Sequence, residues 1–122
     1  MSLVLTIAIV TRWHHKGRYK NLPFVFMTHF VYILYSESAD RFYVGETCNI
    51  ELRIQQHNSG FYKSAFSKKA SDWNLFWSVD CKSRTQALKI EKHIKKMRNR
   101  TFYQNLTKYP EMTEKLLQRF PE

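Results

Sequence analysis

The fold is decided by residues 30–45, which read FVYILYSESADRFYVG. Residues 30–35 are almost all β-branched or aromatic, residues 36–40 are polar and turn-forming, and a second β-prone run ends at Gly45. Two such runs joined by a short polar segment are typical of a β-hairpin. The sequence therefore predicts two paired strands here.

Beyond the hairpin, the pattern predicts a further strand and several helices. Thr47 or Asn49 can cap a helix that runs through Asn58, and Gly60 supplies its stop. A loop rich in lysine and serine follows over 61–72. The remaining predicted elements are a strand over 73–80, a long helix over 85–100 begun by Ser83 or Thr85, and shorter helical pieces over 102–106 and 112–120. Three strands with helices packed against them make a single small α+β domain.

The composition is that of a basic, folded chain. Its 122 residues carry 20 Lys and Arg against 10 Asp and Glu, for a formal charge of +10. Because 43% of the residues are hydrophobic and 16% aromatic, intrinsic disorder is excluded as a description of the whole chain. The charge favours an anionic partner, most simply nucleic acid, although acidic proteins and lipids also attract basic surfaces.

Signals for membranes and disulfides are weak. No apolar run approaches the roughly 20 residues that cross a bilayer, and the longest, 4–10, fits neither a spanning helix nor a signal peptide. Cys48 and Cys81 have no Cys or His nearby at metal-ligand spacing, which excludes a zinc ribbon and gives no disulfide framework. We expect a cytoplasmic protein with neither a membrane nor a disulfide partner.

The first 28 residues differ from the rest of the chain. They hold four basic residues and no acid, with no sustained period of 2 or 3.6. We expect a basic, poorly ordered appendage, or sequence upstream of a natural start at Met27, before a domain over 29–122. An extra strand over 3–11 is the alternative.

The helix predicted over 85–100 carries one acid in an unexpected place. Its core-facing stripe comprises Ala87, Ile90, Ile94 and Met97. Glu91 falls inside this stripe, and it is the one acid between Lys82 and Arg100, a stretch with eight basic residues. A carboxylate against an apolar layer is costly unless it is paired or binds a metal. An ion pair, with a buried arginine or with Lys95 at i+4, is the structural alternative to a functional role.

The preceding helix shows the same anomaly with opposite charge. Ile50 and Ile54 mark its buried face, and Arg53 and His57 occupy positions i+3 and i+7 on that face. These residues also have a structural explanation. Arg53 could form an inert ion pair with Glu91, and His57 could hydrogen-bond to the free carbonyls at the end of the helix. A cation, an imidazole and a carboxylate that converge on one sheet face would also serve phosphate-ester hydrolysis.

Tyr32 and Tyr43 lie in the two hairpin strands, and the turn between them places the two side by side. On this pattern alone, ordinary cross-strand packing explains them as well as function does. Gly45, at a strand end before a helix, permits close backbone approach or an unusual turn.

The ordered set of these residues resembles the GIY-YIG nuclease superfamily, in particular its small stand-alone bacterial members. Residues 30–32 (FVY) stand where the first tripeptide would be, with Phe30 in place of its glycine, and residues 43–45 (YVG) match the second. Arg53 follows Gly45 by eight positions, and Glu91 lies on the expected later helix. Some relatives carry an asparagine after the glutamate, for which Asn99 and Asn105 are candidates.

The resemblance implies a ββαβα domain with a three-stranded antiparallel sheet and a metal-dependent phosphodiesterase site. Glu91 would hold Mg²⁺ or Mn²⁺, with water and phosphate oxygens completing the shell. Arg53 would neutralise charge on the scissile phosphate. Tyr43 or Tyr32 would orient or deprotonate the attacking water, and His57 would assist as a base.

The same small surface is expected to bind the substrate. The residues expected to contact nucleic acid, with DNA favoured over RNA, are Gly45, Lys63, Lys68, Lys69, Lys92, Lys95 and Lys96. Such contacts bind phosphates without reading bases.

The function predicted is a metal-dependent DNA endonuclease, structure-selective and linked to repair or recombination, acting as a monomer or weak homodimer. The alternatives are a non-catalytic nucleic-acid-binding module and a protein-interaction domain whose tyrosines only pack.

Overall fold

The computed structural model describes residues 28–60 and 70–121. These residues form the elements β1 (His29–Ser36), β2 (Arg41–Thr47), α1 (Ile50–Asn58), β3 (Trp73–Cys81), α2 (Arg84–Met97), α3 (Arg100–Lys108) and α4 (Pro110–Arg119). The predicted hairpin and the predicted order of elements are confirmed. The predictions for 1–27, which include the extra strand over 3–11, and those for Lys63, Lys68 and Lys69 lie outside the described residues.

The sheet has three antiparallel strands in the order β2-β1-β3. β1 lies in the centre and is covered on both faces, so residues 30–34 are all 0% exposed. This double burial explains why β1 is a continuous apolar run, whereas a strand with one solvated face alternates. The fold is therefore the small α+β domain with an antiparallel sheet that the sequence predicts.

The two faces of the sheet carry different helices. On one face, α1 packs through Ile50 against Phe30, Tyr32 and Leu34, and we call this the α1 face. On the other, the α2 face, helix residues pack against Val31, Ile33 and Val44 of the sheet. The buried helix residues of the α2 face are Ala87, Ile90 and Ile94 of α2, Tyr103 and Leu106 of α3, and Leu116 of α4. Because successive strand residues point to opposite faces, neighbouring residues of β1 contact different helices.

The helices begin at side-chain caps. Asn49 Oδ1 accepts a hydrogen bond from the Leu52 N–H at 3.1 Å, and Ser83 Oγ accepts one from the Gln86 N–H at 3.1 Å. After α1, Gly60 has a φ of 76°, the left-handed conformation that glycine adopts readily after a helix. Asn49 rather than Thr47 is thus the cap of α1, and Ser83 is that of α2.

The long helix predicted over 85–100 ends earlier than expected, at Met97. Arg98 adopts a left-handed conformation, with φ 44° and ψ 42°, and Asn99 caps α3 by accepting hydrogen bonds from the Thr101 and Phe102 N–H groups. The prediction that Met97 belongs to the core is wrong, because the helix stops there and leaves the side chain 40% exposed.

The C-terminal helix is attached to the core by polar and apolar contacts. The Gln86 side chain is 2% exposed, accepts a hydrogen bond from the Lys82 N–H and donates to the Phe120 carbonyl. Trp77 Nε1 donates to Thr113 Oγ1 at 3.2 Å. Within the described ranges, no helix combines the length and apolar character that a membrane crossing requires.

Candidate active site

Gly45 lies directly opposite Tyr32 in the pairing of β1 with β2. A Cβ at position 45 would lie only 2.6 Å from Tyr32 Cζ, and its contact with the Tyr32 hydroxyl oxygen would be closer still. The phenol ring of Tyr32 therefore occupies the space that a side chain at 45 would need. The structure thus gives Gly45 a packing role, and its contact with nucleic acid stays a prediction.

Tyr32, Tyr43 and His57 form one group, which we call the tyrosine–histidine cluster. The Tyr32 hydroxyl oxygen lies 3.2 Å from His57 Nε2, at hydrogen-bond distance. The Tyr43 ring centroid is 4.5 Å from that of His57 and 6.4 Å from that of Tyr32. The two tyrosines are side by side as predicted, although they are not direct strand partners, since Tyr43 faces Leu34.

The environment of His57 keeps its ring neutral at pH 7. The side chain is 1% exposed, and this burial, together with the positive charge of Arg53, lowers the pKa of His57 to about 4. In the tautomer protonated at Nδ1, Nε2 accepts the hydrogen bond that the Tyr32 hydroxyl donates. The cluster therefore contains a buried proton acceptor next to a phenol.

A contact that sequence analysis missed involves Asn58, the residue after His57. The side-chain amide of Asn58 donates to the Trp73 carbonyl at 3.0 Å and accepts from the Trp73 N–H at 2.6 Å. These two bonds attach the last turn of α1 to the first residue of β3, beside His57. In the sequence, Asn58 is only a residue near a helix end, and nothing there identifies a partner 15 positions away.

Arg53 and Glu91 do not form the ion pair considered above. The Glu91 carboxylate lies 3.5 Å from Lys95 Nζ, the i+4 partner, and its side chain is 18% exposed. Arg53 is half-buried on α1, one turn before His57. The second structural alternative, a glutamate at the edge of the stripe paired with Lys95, is the one that the structure shows.

The expectation that Arg53, His57 and Glu91 converge on one sheet face is wrong for Glu91. Its helix α2 packs against the opposite face from α1. There Glu91 lines a shallow concavity together with Leu88, Lys92, Lys95, Lys96 and Arg98. The structure thus brings together Tyr32, Tyr43 and His57 beside Arg53, and it places Glu91 in a separate layer among basic residues.

The donor set at Glu91 suits a hard divalent cation that keeps most of its water. In the part of the chain that the structure describes, no group of three or more His, Cys, Asp and Glu residues is positioned to share a metal ion. A single accessible carboxylate fits Mg²⁺ or Mn²⁺, because these ions accept water and phosphate oxygens as their other ligands. Asn99, a candidate for the family's later asparagine, uses its side-chain oxygen to cap α3.

Comparison with known proteins identifies the family of this chain. A family profile described as the GIY-YIG catalytic domain matches residues 28–105, from β1 into α3. A UPF0213 protein of Syntrophus aciditrophicus (strain SB) is 39% identical over 83 residues, which cover 67% of this chain and 93% of that protein. No solved structure matches the chain. The chain therefore belongs to the GIY-YIG family, and its domain supports nuclease function in general.

Proposed function

We propose that this protein is a divalent-metal-dependent endonuclease that hydrolyses phosphodiester bonds of DNA. The observation that carries the proposal is the buried hydrogen bond between Tyr32 and a neutral His57, in a chain whose family is one of nuclease domains. Selectivity for branched or nicked DNA, with a role in repair or recombination, is part of the same proposal, as is action in the cytoplasm as a monomer or weak homodimer.

The two tyrosines differ in burial, and this difference supports different roles for them. Tyr32 is 0% exposed, so an attacking water cannot reach its hydroxyl without movement of the surrounding side chains. Tyr43 is only partly buried and lies against His57. We therefore assign Tyr43 to orient the attacking water. Because His57 is also buried, the proton that this water loses would reach it through a tyrosine hydroxyl, which takes up that proton and gives its own to His57 Nε2.

Because Arg53 and Glu91 lie on opposite faces of the sheet, the proposal places the scissile phosphate at the edge strand β2, where groups from both faces would act on it. Arg53 would stabilise negative charge on the scissile group through its planar guanidinium. Glu91 would hold Mg²⁺ or Mn²⁺, and the ion would supply Lewis-acid stabilisation of phosphate oxygens when bound. Because Lys92, Lys95 and Lys96 surround Glu91, a cation there is repelled until DNA phosphates join the site. Metal uptake should therefore depend on DNA.

The test is cleavage of branched, nicked and single-stranded DNA by the purified protein with Mg²⁺ or Mn²⁺. We expect metal-dependent scission that Glu91→Gln slows by about 100-fold or more. Glu111→Gln, which changes an exposed carboxylate on α4, is the matched control and should leave the rate unchanged. Cleavage that persists at the wild-type rate in Glu91→Gln would refute the assignment.

The Glu91–Lys95 ion pair favours one alternative, a module that binds nucleic acid without turnover. In that case the carboxylate serves only to position a lysine for phosphate contact. Binding would then be salt-sensitive and indifferent to metal, and no substrate would be cut. Metal-dependent strand scission rules this alternative out.

A further inference from the structure

A second concavity lies next to the one at Glu91, and Arg98 lines both. The second is formed where the β1–β2 hairpin meets the turn between α2 and α3, and its lining includes Arg41, Phe42 and Tyr103. Taken together, the two linings contain six basic and two acidic residues. A continuous cationic surface thus runs from Glu91 to the hairpin.

The acid of the second concavity is already neutralised. The Asp40 carboxylate accepts hydrogen bonds from the Arg100 guanidinium and, at 2.7 Å, from the Tyr35 hydroxyl. The Arg100 hydrogen bond is the largest cause that lowers the pKa of Asp40, to about 2, so the pair is ionised at neutral pH. Asp40 therefore pairs with Arg100, and it attracts Arg41 only through a weaker Coulombic interaction without an ion-pair contact.

Arg41 and Arg98 are both exposed, and across residues 28–60 and 70–121 neither has a carboxylate within ion-pair distance. Their guanidinium groups therefore contribute no salt bridge to the described fold. Each presents a planar set of N–H donors to solvent, which matches the geometry of a phosphate.

The backbone conformation of Arg98 is a second indication that this residue binds a ligand. Its φ of 44° and ψ of 42° lie in the left-handed region, which glycine or asparagine adopts at lower cost after a helix. The chain keeps an arginine there although the side chain makes no hydrogen bond in the described structure. A strained conformation with no local compensation points to a role outside the fold.

The position of Arg98 sets its distance from the proposed metal site. Arg98 is the first residue after α2, seven positions beyond Glu91, and both residues line the concavity at Glu91. Seven residues of helix span about 10 Å. This separation places Arg98 beyond the phosphate at Glu91 and within reach of a neighbouring phosphate of the backbone.

We propose that Arg98, assisted by Arg41, binds a DNA backbone phosphate close to, but distinct from, the phosphate that is cleaved. The inference rests on the proposed function, because that function makes Glu91 the cleavage site. The site extends the nuclease's footprint toward the hairpin and recognises phosphate, without reading bases.

Binding of a fluorescent DNA oligonucleotide, measured by anisotropy in EDTA over a series of salt concentrations, tests the proposal. Arg98→Asn removes the charge with a residue that tolerates the left-handed conformation. We expect weaker binding and a salt slope reduced by about 0.7 to 0.9, the value for one phosphate contact. Lys115→Gln, an exposed charge on α4, is the control and should change neither quantity. Thermal melting should show that Arg98→Asn is at least as stable as the wild type.

Oligonucleotides with one neutral methylphosphonate locate the contact. We expect one position that weakens wild-type binding and leaves Arg98→Asn binding unaffected.

If Arg98→Asn binds DNA with the wild-type affinity and slope, the inference is overturned, and cleavage by the wild type would still support the proposed function. If Arg98→Asn loses affinity while the wild type cuts nothing with either metal, Arg98 is a phosphate contact, but the nuclease proposal fails and with it the placement of that contact beside a cleaved phosphate. Binding to anionic vesicles but not to DNA overturns both.

Discussion

At the scale of single residues, Gly45 and Tyr32 determine how the candidate site is packed. The Tyr32 phenol lies across the backbone of Gly45, where it reaches His57 on α1. From the sequence, the two hairpin tyrosines could be placed side by side, and His57 could be placed on a buried helix face. The partnership of Tyr32 with His57 could not, because it joins residues 25 positions apart and depends on where α1 crosses the sheet.

Gly45→Ala should destabilise the fold by about 1 to 3 kcal/mol, the usual cost of overpacking. The added methyl group would overlap the Tyr32 ring, which is enclosed and cannot move freely. Urea denaturation measures the loss. Tyr32→Leu should cost less in the Gly45→Ala background than in the wild type, and additive effects of the two changes would contradict the contact.

The protonation of His57 should make stability depend on pH. Its pKa is about 4 in the folded chain, against an ordinary value of 6.5 for a solvated histidine, so the unfolded state binds more protons between these values. The contribution of His57 to the free energy of unfolding is therefore fully present above pH 6.5. It is lost as the pH drops toward 4, with a slope of at most about 1.4 kcal/mol per pH unit. Denaturation midpoints at several pH values should show this slope, and His57→Gln should flatten it. An unchanged slope in the variant would contradict the assignment.

At the scale of elements, the caps and the turns decide where each helix begins and ends. Asn49, Ser83 and Gly60 are recognisable in the sequence because capping is a local interaction. The end of α2 was not predicted correctly, since its apolar stripe continues to Met97 and the break at Arg98 has no glycine or proline to announce it. Attachments between elements, such as that of Asn58 to Trp73, involve distant positions and leave no local pattern.

Asn58→Ala should loosen the junction between α1 and β3. It removes two hydrogen bonds from the Trp73 backbone, and we expect a loss of about 1 to 3 kcal/mol in the free energy of unfolding. Gln55→Ala, an exposed position on the same helix, is the control and should change stability little. Faster hydrogen exchange at the Trp73 amide in Asn58→Ala, but not in Gln55→Ala, would locate the effect. Equal stability of the two variants would show that the junction contributes nothing.

At the scale of the whole molecule, the α+β class and the three strands follow from the order of periodic segments. The distribution of helices over the two faces does not, because hydrophobic periodicity shows that a helix packs but not against which side of the sheet. This is why Arg53 and Glu91, which the sequence suggests as neighbours, belong to different layers. The charge of +10 is likewise a property of the whole chain, and in the described part the basic residues are concentrated on α2 and the turn that follows it.

The most direct measurement is the initial rate of DNA cleavage with Mg²⁺, compared between the wild type and Glu91→Gln, with Glu111→Gln as the control. If Glu91 holds the ion that stabilises the transition state, its loss should lower the rate by about 100-fold or more, the scale on which a single electrostatic contact contributes to catalysis. Glu111→Gln should cut at the wild-type rate. Equal rates in all three proteins, or no cleavage by the wild type with Mg²⁺ or Mn²⁺, would contradict the account.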